Sequence, residues 1–132
     1  MRKAYLSISY ANRKNLQAEV DTIRQVLVQY GIELFVFVDT YQFKGNESYR
    51  MMQQVFADID ACEILVAEVS EKAIGVGIEI GYAVAKAKPV IYLRNSAAEH
   101  STTAAGSTDA IVIYDDIPDL SAKFSERIRS YF

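Results

Sequence analysis

Residues 63–93 read EILVAEVSEKAIGVGIEIGYAVAKAKPVIYL and contain one complete strand–helix–strand unit. The run EILVAEV at 63–69 is apolar and short, which predicts a buried β-strand. A helix is predicted over residues 75–88, because Pro89 cannot continue it. The run PVIYL at 89–93 then predicts the next strand. Two strands joined by a helix predict a parallel pair.

Three more β-rich runs lie outside this unit, KAYLSIS at 3–9, IELFVFV at 32–38 and AIVIY at 110–114. The second to fifth runs are largely continuous in apolar residues, as expected when helices cover both faces of a sheet. The segments between them have apolar residues at helical spacing. The first helix is marked by Leu16, Val20, Ile23, Leu27 and Tyr30, with Asn12 as N-cap and Gly31 as stop; the second begins near Asn46 and is marked by Met52, Val55, Phe56 and Ile59; the last is marked by Leu120, Phe124, Ile128 and Tyr131.

Alternating strands and helices predict an α/β fold over residues 1–132, a single domain at this length. We expect a doubly wound, flavodoxin- or Rossmann-like, five-stranded parallel sheet with order 2-1-3-4-5 and helices on both faces. The polar segment 95–109 is predicted to be a long loop, and a loop of that length is more often functional or interface-forming than a simple connection.

Composition excludes several function classes. The net charge is −3, and no run of Lys or Arg occurs, so we expect no nucleic-acid partner. No apolar run reaches membrane-spanning length, and the N-terminal segment becomes polar too early for a signal peptide, so a cytoplasmic protein is expected. The single cysteine, Cys62, excludes an internal disulfide, and the single histidine, His100, predicts no metal site. No cofactor is predicted.

A ligand site in such a sheet is expected beyond the carboxyl ends of the strands, where strand order reverses. The loops at that point are residues 9–14 and 70–77. Gly75 and Gly77 are expected to turn the backbone sharply and to leave N–H groups open to an anion, and Gly81 to allow close packing on the sheet. A dinucleotide-binding fingerprint is excluded, because the spacing is G-x-G-x-x-x-G and the glycines follow the third strand.

Glu79 is the one carboxylate in the apolar run IGVGIEIGYA at 74–83. The positive end of the helix favours its ionised form, whereas desolvation by Val76, Ile78 and Ile80 opposes it. A partly desolvated carboxylate at a crevice suits a nucleophile, or a group that stabilises positive charge at a sugar carbon. The alternative is a side chain that only emerges at the helix edge.

The segment CEILVAEVSEKAIGVGIEIGYAVAKAKPVIYL, and GVGIEIG within it above all, resembles the nucleoside 2-deoxyribosyltransferase family, including its deoxynucleoside 5′-monophosphate N-glycosidase branch. The resemblance implies cleavage or transfer at an N-glycosidic bond, with a nucleoside or nucleotide as the small-molecule partner. It makes Glu79 the nucleophile and Tyr5 the residue that orients it. Ser9 and the backbone of Gly75, Val76 and Gly77 would hold the sugar or its 5′-phosphate.

The resemblance also implies a homodimer in which a loop from the partner completes the site, with Ser101, Thr102 and Thr103 as candidates. The chain departs from the family pattern at three positions: Ile8 replaces a glycine, Val55 an aspartate that assists the leaving base (with Asp58 one turn away), and Ala73 a phosphate-binding serine. Arg13 or Lys14 is therefore expected to supply charge if a phosphate binds.

A second resemblance comes from AYLSISYANRKNLQAEVDTIRQVLVQYGIELFVFVD at 4–39, which is similar to TIR domains. It implies either an NAD-cleaving enzyme that uses the same Glu79, or a protein-interaction module. A protein that binds a nucleotide without turnover is a further alternative.

Overall fold

The computed structural model describes residues 1–132 as one five-stranded, all-parallel sheet with strand order β2-β1-β3-β4-β5. This arrangement confirms the predicted fold class and strand order. The strands are β1 (Arg2–Ile8), β2 (Ile32–Val36), β3 (Ile64–Glu68), β4 (Val90–Asn95) and β5 (Ala110–Tyr114). The switch point lies at β1, because β2 pairs with one of its edges and β3 with the other.

Helices cover both faces of the sheet. They are α1 (Gln17–Val28), α2 (Phe37–Thr40), α3 (Ser48–Asp60), α4 (Ile74–Ala85), α5 (Thr102–Gly106) and α6 (Ile117–Tyr131). A core cluster of 21 buried residues lies under α1 and α6, and a second of 13 lies under α3 and α4. None of the helices combines the length and apolar content needed to cross a membrane.

Burial along the strands follows their place in the sheet. Every residue of β3 is buried, because neighbouring strands and helices cover it on all sides. The edge strands β2 and β5 instead alternate, with Glu33, Ile111 and Ile113 exposed. The expectation of continuous burial from the second strand to the fifth is therefore wrong for these two edges, where one face of the strand packs in the core and residues of the other face are exposed.

Three predicted boundaries are also wrong. The second strand ends at Val36, and the chain turns at once into α2, whose Tyr41 N–H donates to the carbonyl of Phe37. Helix α4 ends at Ala85 rather than at residue 88, and a turn follows in which Ala87 has φ of 57°. The segment 95–109 is not a plain loop, because it contains α5, which Ser101 caps by accepting a hydrogen bond from the N–H of Ala104.

The first helix begins differently from the prediction as well. A 3₁₀ turn, Arg13–Leu16, precedes α1, and the side chain of Asn12 caps no backbone N–H. It accepts a hydrogen bond from the side chain of Asn15 instead. Gly31 does follow the helix with φ of 69°, the left-handed conformation that favours glycine at a helix end.

Candidate active site

The carboxylate of Glu79 is held from both sides by the first strand. Tyr5 donates its hydroxyl to Oε2 at 2.5 Å, and Ser7 donates its hydroxyl to Oε1 at 2.5 Å. Tyr5 and Ser7 are two residues apart on β1, so their side chains project from the same face of the sheet. The two bonds fix the orientation of the carboxylate at the switch point.

Burial and hydrogen bonding act on Glu79 in opposite directions. Its partial burial disfavours the charged form and raises the pKa of its carboxyl, whereas the bonds from Ser7 and Tyr5 lower it, with burial the larger effect. Burial and the adjacent Glu79 charge raise the pKa of Tyr5 far above its ordinary value, so that hydroxyl stays protonated and remains a donor. The result is an oriented carboxylate with less hydration than a surface glutamate has.

Ser7 was not among the predicted site residues. The signal for it was the alternation of Tyr5 and Ser7 along β1, which places both side chains on one face. Ser9, one residue beyond the end of β1, contacts another acid and donates to Glu71 Oε1 at 2.6 Å. Glu71 belongs to the loop that leads from β3 into α4.

The predicted glycine turn lies inside the helix. Gly75 and Gly77 are in the first turn of α4, and neither has a positive φ, so the expectation of a sharp turn is wrong. The N–H of Gly77 already donates to the carbonyl of Ala73 at 3.3 Å. The N–H groups of Ile74, Gly75 and Val76 lie in the first turn and have no partner within the helix, and Ala73 at the N-cap has no side chain that could accept from them. An anion would therefore meet these three groups.

The two sides of helix α4 differ: Glu79 projects from one side toward β1, and a groove lies along the other. The groove, of about 390 Å³, lies between α4 and α5 and is lined by Val76, Gly77, Ser101 and Thr103 among others. Glu79 does not line this groove. It follows Gly77 by two residues, and two residues of α-helix rotate a side chain by about 200° around the helix axis. Gly81 also faces this groove, with open space around its Cα, so its predicted role in packing on the sheet is wrong. Thr102 is exposed at the start of α5 and does not line the groove.

Arg13 is engaged away from Glu79. Its guanidinium donates to both oxygens of Asp39, at 3.0 and 2.7 Å, and to the side chain of Gln17 at 3.1 Å. Lys14 is exposed and lines a separate groove with Tyr10 and Arg13. The structure therefore does not bring the predicted cations together with Glu79.

The two positions that the family resemblance relates to the leaving base, Val55 and Asp58, differ in environment. Val55 is buried in the apolar cluster that also contains Tyr5. Asp58, one turn further along α3, has a buried Oδ2 that accepts no hydrogen bond, and burial raises the pKa of its carboxyl. Side-chain interactions with Gln54 and Tyr41 act against that rise.

A second tyrosine–glutamate pair lies on the opposite face of the sheet. Glu68, fully buried at the end of β3, accepts hydrogen bonds from the hydroxyl of Tyr114 at 2.5 Å and from the N–H and hydroxyl of Ser70 at 2.6 and 3.0 Å. The N–H of Asn95 in turn donates to the Ser70 hydroxyl at 2.9 Å. This pair has no access to solvent and joins the ends of three strands.

The chain is thus a doubly wound α/β protein with an oriented glutamate at the switch point of its parallel sheet. The chain belongs to the nucleoside 2-deoxyribosyltransferase family, whose family model matches residues 4–120. This match confirms the family predicted from the sequence and confirms that the chain is an enzyme of a family that cleaves or transfers at glycosidic bonds. No group of three or more His, Cys, Asp or Glu side chains is arranged to hold a metal ion.

Solved structures show the same fold. CMP N-glycosidase BcmB of Clostridium botulinum is 18% identical, with a TM-score of 0.66 and coverage of 95% of this chain and 99% of that one. A 2-deoxyribosyltransferase of Bacillus psychrosaccharolyticus is 17% identical, with a TM-score of 0.68 and 90% coverage of each chain. One from Leishmania mexicana is 15% identical, with a TM-score of 0.66, covering 96% of this chain and 98% of that one. No curated protein matches the chain significantly by sequence.

Proposed function

We propose that this protein cleaves or transfers at the N-glycosidic bond of a nucleoside or deoxynucleoside, or of its 5′-monophosphate, with Glu79 as the nucleophile. One observation carries the proposal: both oxygens of a partly buried carboxylate at the switch point are oriented by hydroxyls of β1, those of Tyr5 and Ser7. A carboxylate that only emerged at the helix edge would have no such partners. Two structural neighbours are an N-glycosidase and a 2-deoxyribosyltransferase, and their activities support a reaction at the same kind of bond.

In the proposed reaction a Glu79 oxygen forms a bond to the anomeric carbon of the sugar as the bond from that carbon to the base nitrogen breaks. The electron pair leaves with the base, which takes up a proton, and a covalent glycosyl ester remains on Glu79. Water or a second base then attacks the same carbon and releases the carboxylate. Tyr5 and Ser7 keep the carboxylate in one orientation through both steps, which lowers the cost of ordering it.

The test is base release from a panel of deoxynucleosides, their 5′-monophosphates and NAD, separated by chromatography. We expect release from members of the first two classes. Glu79→Gln should keep the fold and reduce release by several orders of magnitude, since the lost step is covalent. Glu126→Gln makes the same charge change on the exposed side of α6 and is the matched control. Activity of Glu79→Gln within a few-fold of the wild type would remove Glu79 from the mechanism.

The same panel separates the alternatives. Release of nicotinamide from NAD alone would favour the TIR-like enzyme. Binding of nucleotides without release of any base would favour a non-catalytic module. Either outcome would contradict the proposed reaction.

We also propose that the protein is a cytoplasmic homodimer. The outer side of α4 supports a second copy there, because Ile74, Ile78 and Val84 are exposed beside Gly81, which lets a helix approach closely. The buried free thiol of Cys62 fits a reducing compartment. Sedimentation should show a dimer that Ile74→Arg weakens, and a monomer in the wild type would contradict the proposal.

A further inference from the structure

Arg94 is a buried cation without an ion-pair partner. It is the second-to-last residue of β4, and only 9% of its surface is exposed. The ion pairs of the protein all involve other cations. An arginine side chain keeps its charge in proteins, and burial of a charge is costly when no opposite charge lies beside it. The fold therefore leaves a buried positive charge without a counter-charge.

One nitrogen of the Arg94 guanidinium holds the turn that follows β4. Nη1 donates to the carbonyls of Asn95, Ser96 and Ala98, at 3.2, 3.4 and 2.5 Å. The N–H of Ala98 donates to the carbonyl of Asn95 at 2.9 Å, which closes this turn. Because carbonyl oxygens carry only a partial negative charge, they orient the guanidinium without neutralising it.

The other two nitrogens of Arg94 form no hydrogen bond within the protein. Nε is buried without a partner, which is rare for a polar atom in a protein interior. Nη2 has no partner either, but it is not buried as Nε is, so this edge of the guanidinium meets the surface at its outer end. The N–H groups of Nε and Nη2 point in the same direction and match two oxygens of a carboxylate or a phosphate. The unused edge thus has the geometry that binds an oxyanion.

Arg94 lies apart from the candidate active site. Strand β3 separates β4 from β1, whose hydroxyls hold Glu79. Arg94 also does not line the groove between α4 and α5. On its other side it pairs in register with Ile113 of β5, which is 38% exposed. The sheet face from which Arg94 projects is therefore open to solvent toward the β5 edge.

We propose that Arg94 is the centre of a second ligand site, which binds an oxyanion through Nε and Nη2. The bound group is a phosphate or a carboxylate, since each presents two oxygens at the spacing of the guanidinium edge. Nη1 keeps its bonds to the turn, so the guanidinium is held in place before the ligand arrives. This site goes beyond the proposed function and does not depend on it.

The test observes the guanidinium itself. The Nε–H group of Arg94 gives a signal in a proton–nitrogen NMR spectrum, which is identified by its absence from the spectrum of Arg94→Lys. Titration with inorganic phosphate or with acetate, at an ionic strength held constant with chloride, should shift this signal to saturation in the wild type. Saturation by phosphate alone would assign a phosphate group, by acetate alone a carboxylate, and by both an oxyanion of either kind.

Variants separate the guanidinium edge from charge alone. Arg94→Lys keeps the charge and can donate to the carbonyls of the turn, but it has no planar edge. Arg94→Gln removes the charge. Calorimetry with the anion that saturates the signal should show at least tenfold weaker binding to both variants than to the wild type. Arg129→Gln removes the same charge from the exposed side of α6 and should leave the affinity unchanged.

Three results would overturn the site. The first is an Nε–H signal of Arg94 that neither anion shifts, a result that the wild type gives even if the variants do not fold. The second is an anion that binds and stabilises the protein without moving this signal, since it would bind elsewhere. The third is equal affinity of the wild type and Arg94→Lys, which would reduce Arg94 to a residue that holds the turn.

Discussion

Replacing the hydroxyls that hold Glu79 should change the pH dependence of the reaction. Tyr5→Phe and Ser7→Ala each remove one hydrogen bond that lowers the pKa of this carboxyl. A hydrogen bond to a charged group contributes about 1.5–3 kcal/mol, and one pH unit corresponds to about 1.4 kcal/mol. Each variant should therefore move the acidic limb of the activity profile upward by about 1–2 pH units, because Glu79 must lose its proton before it can attack.

The assay is kcat/KM for base release as a function of pH, which reports the ionisation of the free enzyme. Tyr114→Phe is the matched control, since it removes the corresponding hydroxyl from Glu68 on the opposite face of the sheet. The limb of this control should stay at its wild-type position. If the limbs of Tyr5→Phe and Ser7→Ala also coincide with that of the wild type, the two hydroxyls do not set the ionisation of Glu79.

Three predictions concern stability. Because burial raises the pKa of the Glu79 carboxyl in the folded state, its ionisation lowers the free energy of unfolding as pH rises through that pKa. Glu79→Gln should therefore melt at a higher temperature than the wild type near neutral pH. An equal gain at a pH below the unfolded-state pKa would show that the gain does not come from the ionisation of Glu79. Ala73→Ser should supply the missing cap of α4 and add about 0.5–2 kcal/mol in urea unfolding, whereas no gain would mean that the N–H groups are satisfied otherwise. Ala87→Gly should raise the free energy of unfolding by roughly 0.5–1 kcal/mol. The left-handed conformation costs alanine about 1–2 kcal/mol, and glycine offsets part of this because it loses about 0.5–1 kcal/mol more conformational entropy on folding. A lower free energy of unfolding in urea would contradict strain at Ala87.

The fold could be predicted because its signals are local and repeated. Apolar runs alternate with segments of helical spacing along the chain, and Pro89 and Gly31 separate elements, so the α/β class is predictable. The order 2-1-3-4-5 was expected because it is a common order for a doubly wound sheet of five strands. The end of the second strand could not be predicted in this way. IELFVFV is apolar to its last residue, and only tertiary packing decides that Phe37 turns into a helix.

The candidate site was predictable where a charged residue lies in an otherwise apolar segment. Glu79 is a single carboxylate in an apolar helix, and Tyr5 was assigned to it through the family resemblance. Ser7 carries no such contrast, since a serine in a strand is common. The bond from Ser9 to Glu71 joins residues 62 positions apart, and no local pattern specifies such a pair.

The joined strand ends at Glu68 have a consequence for ligand entry. Ser70 and Tyr114 converge on one buried carboxylate, and Asn95 is tied to Ser70, so the ends of β3, β4 and β5 are linked before any ligand arrives. The entropy of ordering this rim is spent during folding and not at the moment of encounter. A ligand therefore binds to strand ends that are already ordered. Its affinity should depend on its shape and charge more than on rearrangement of these strand ends.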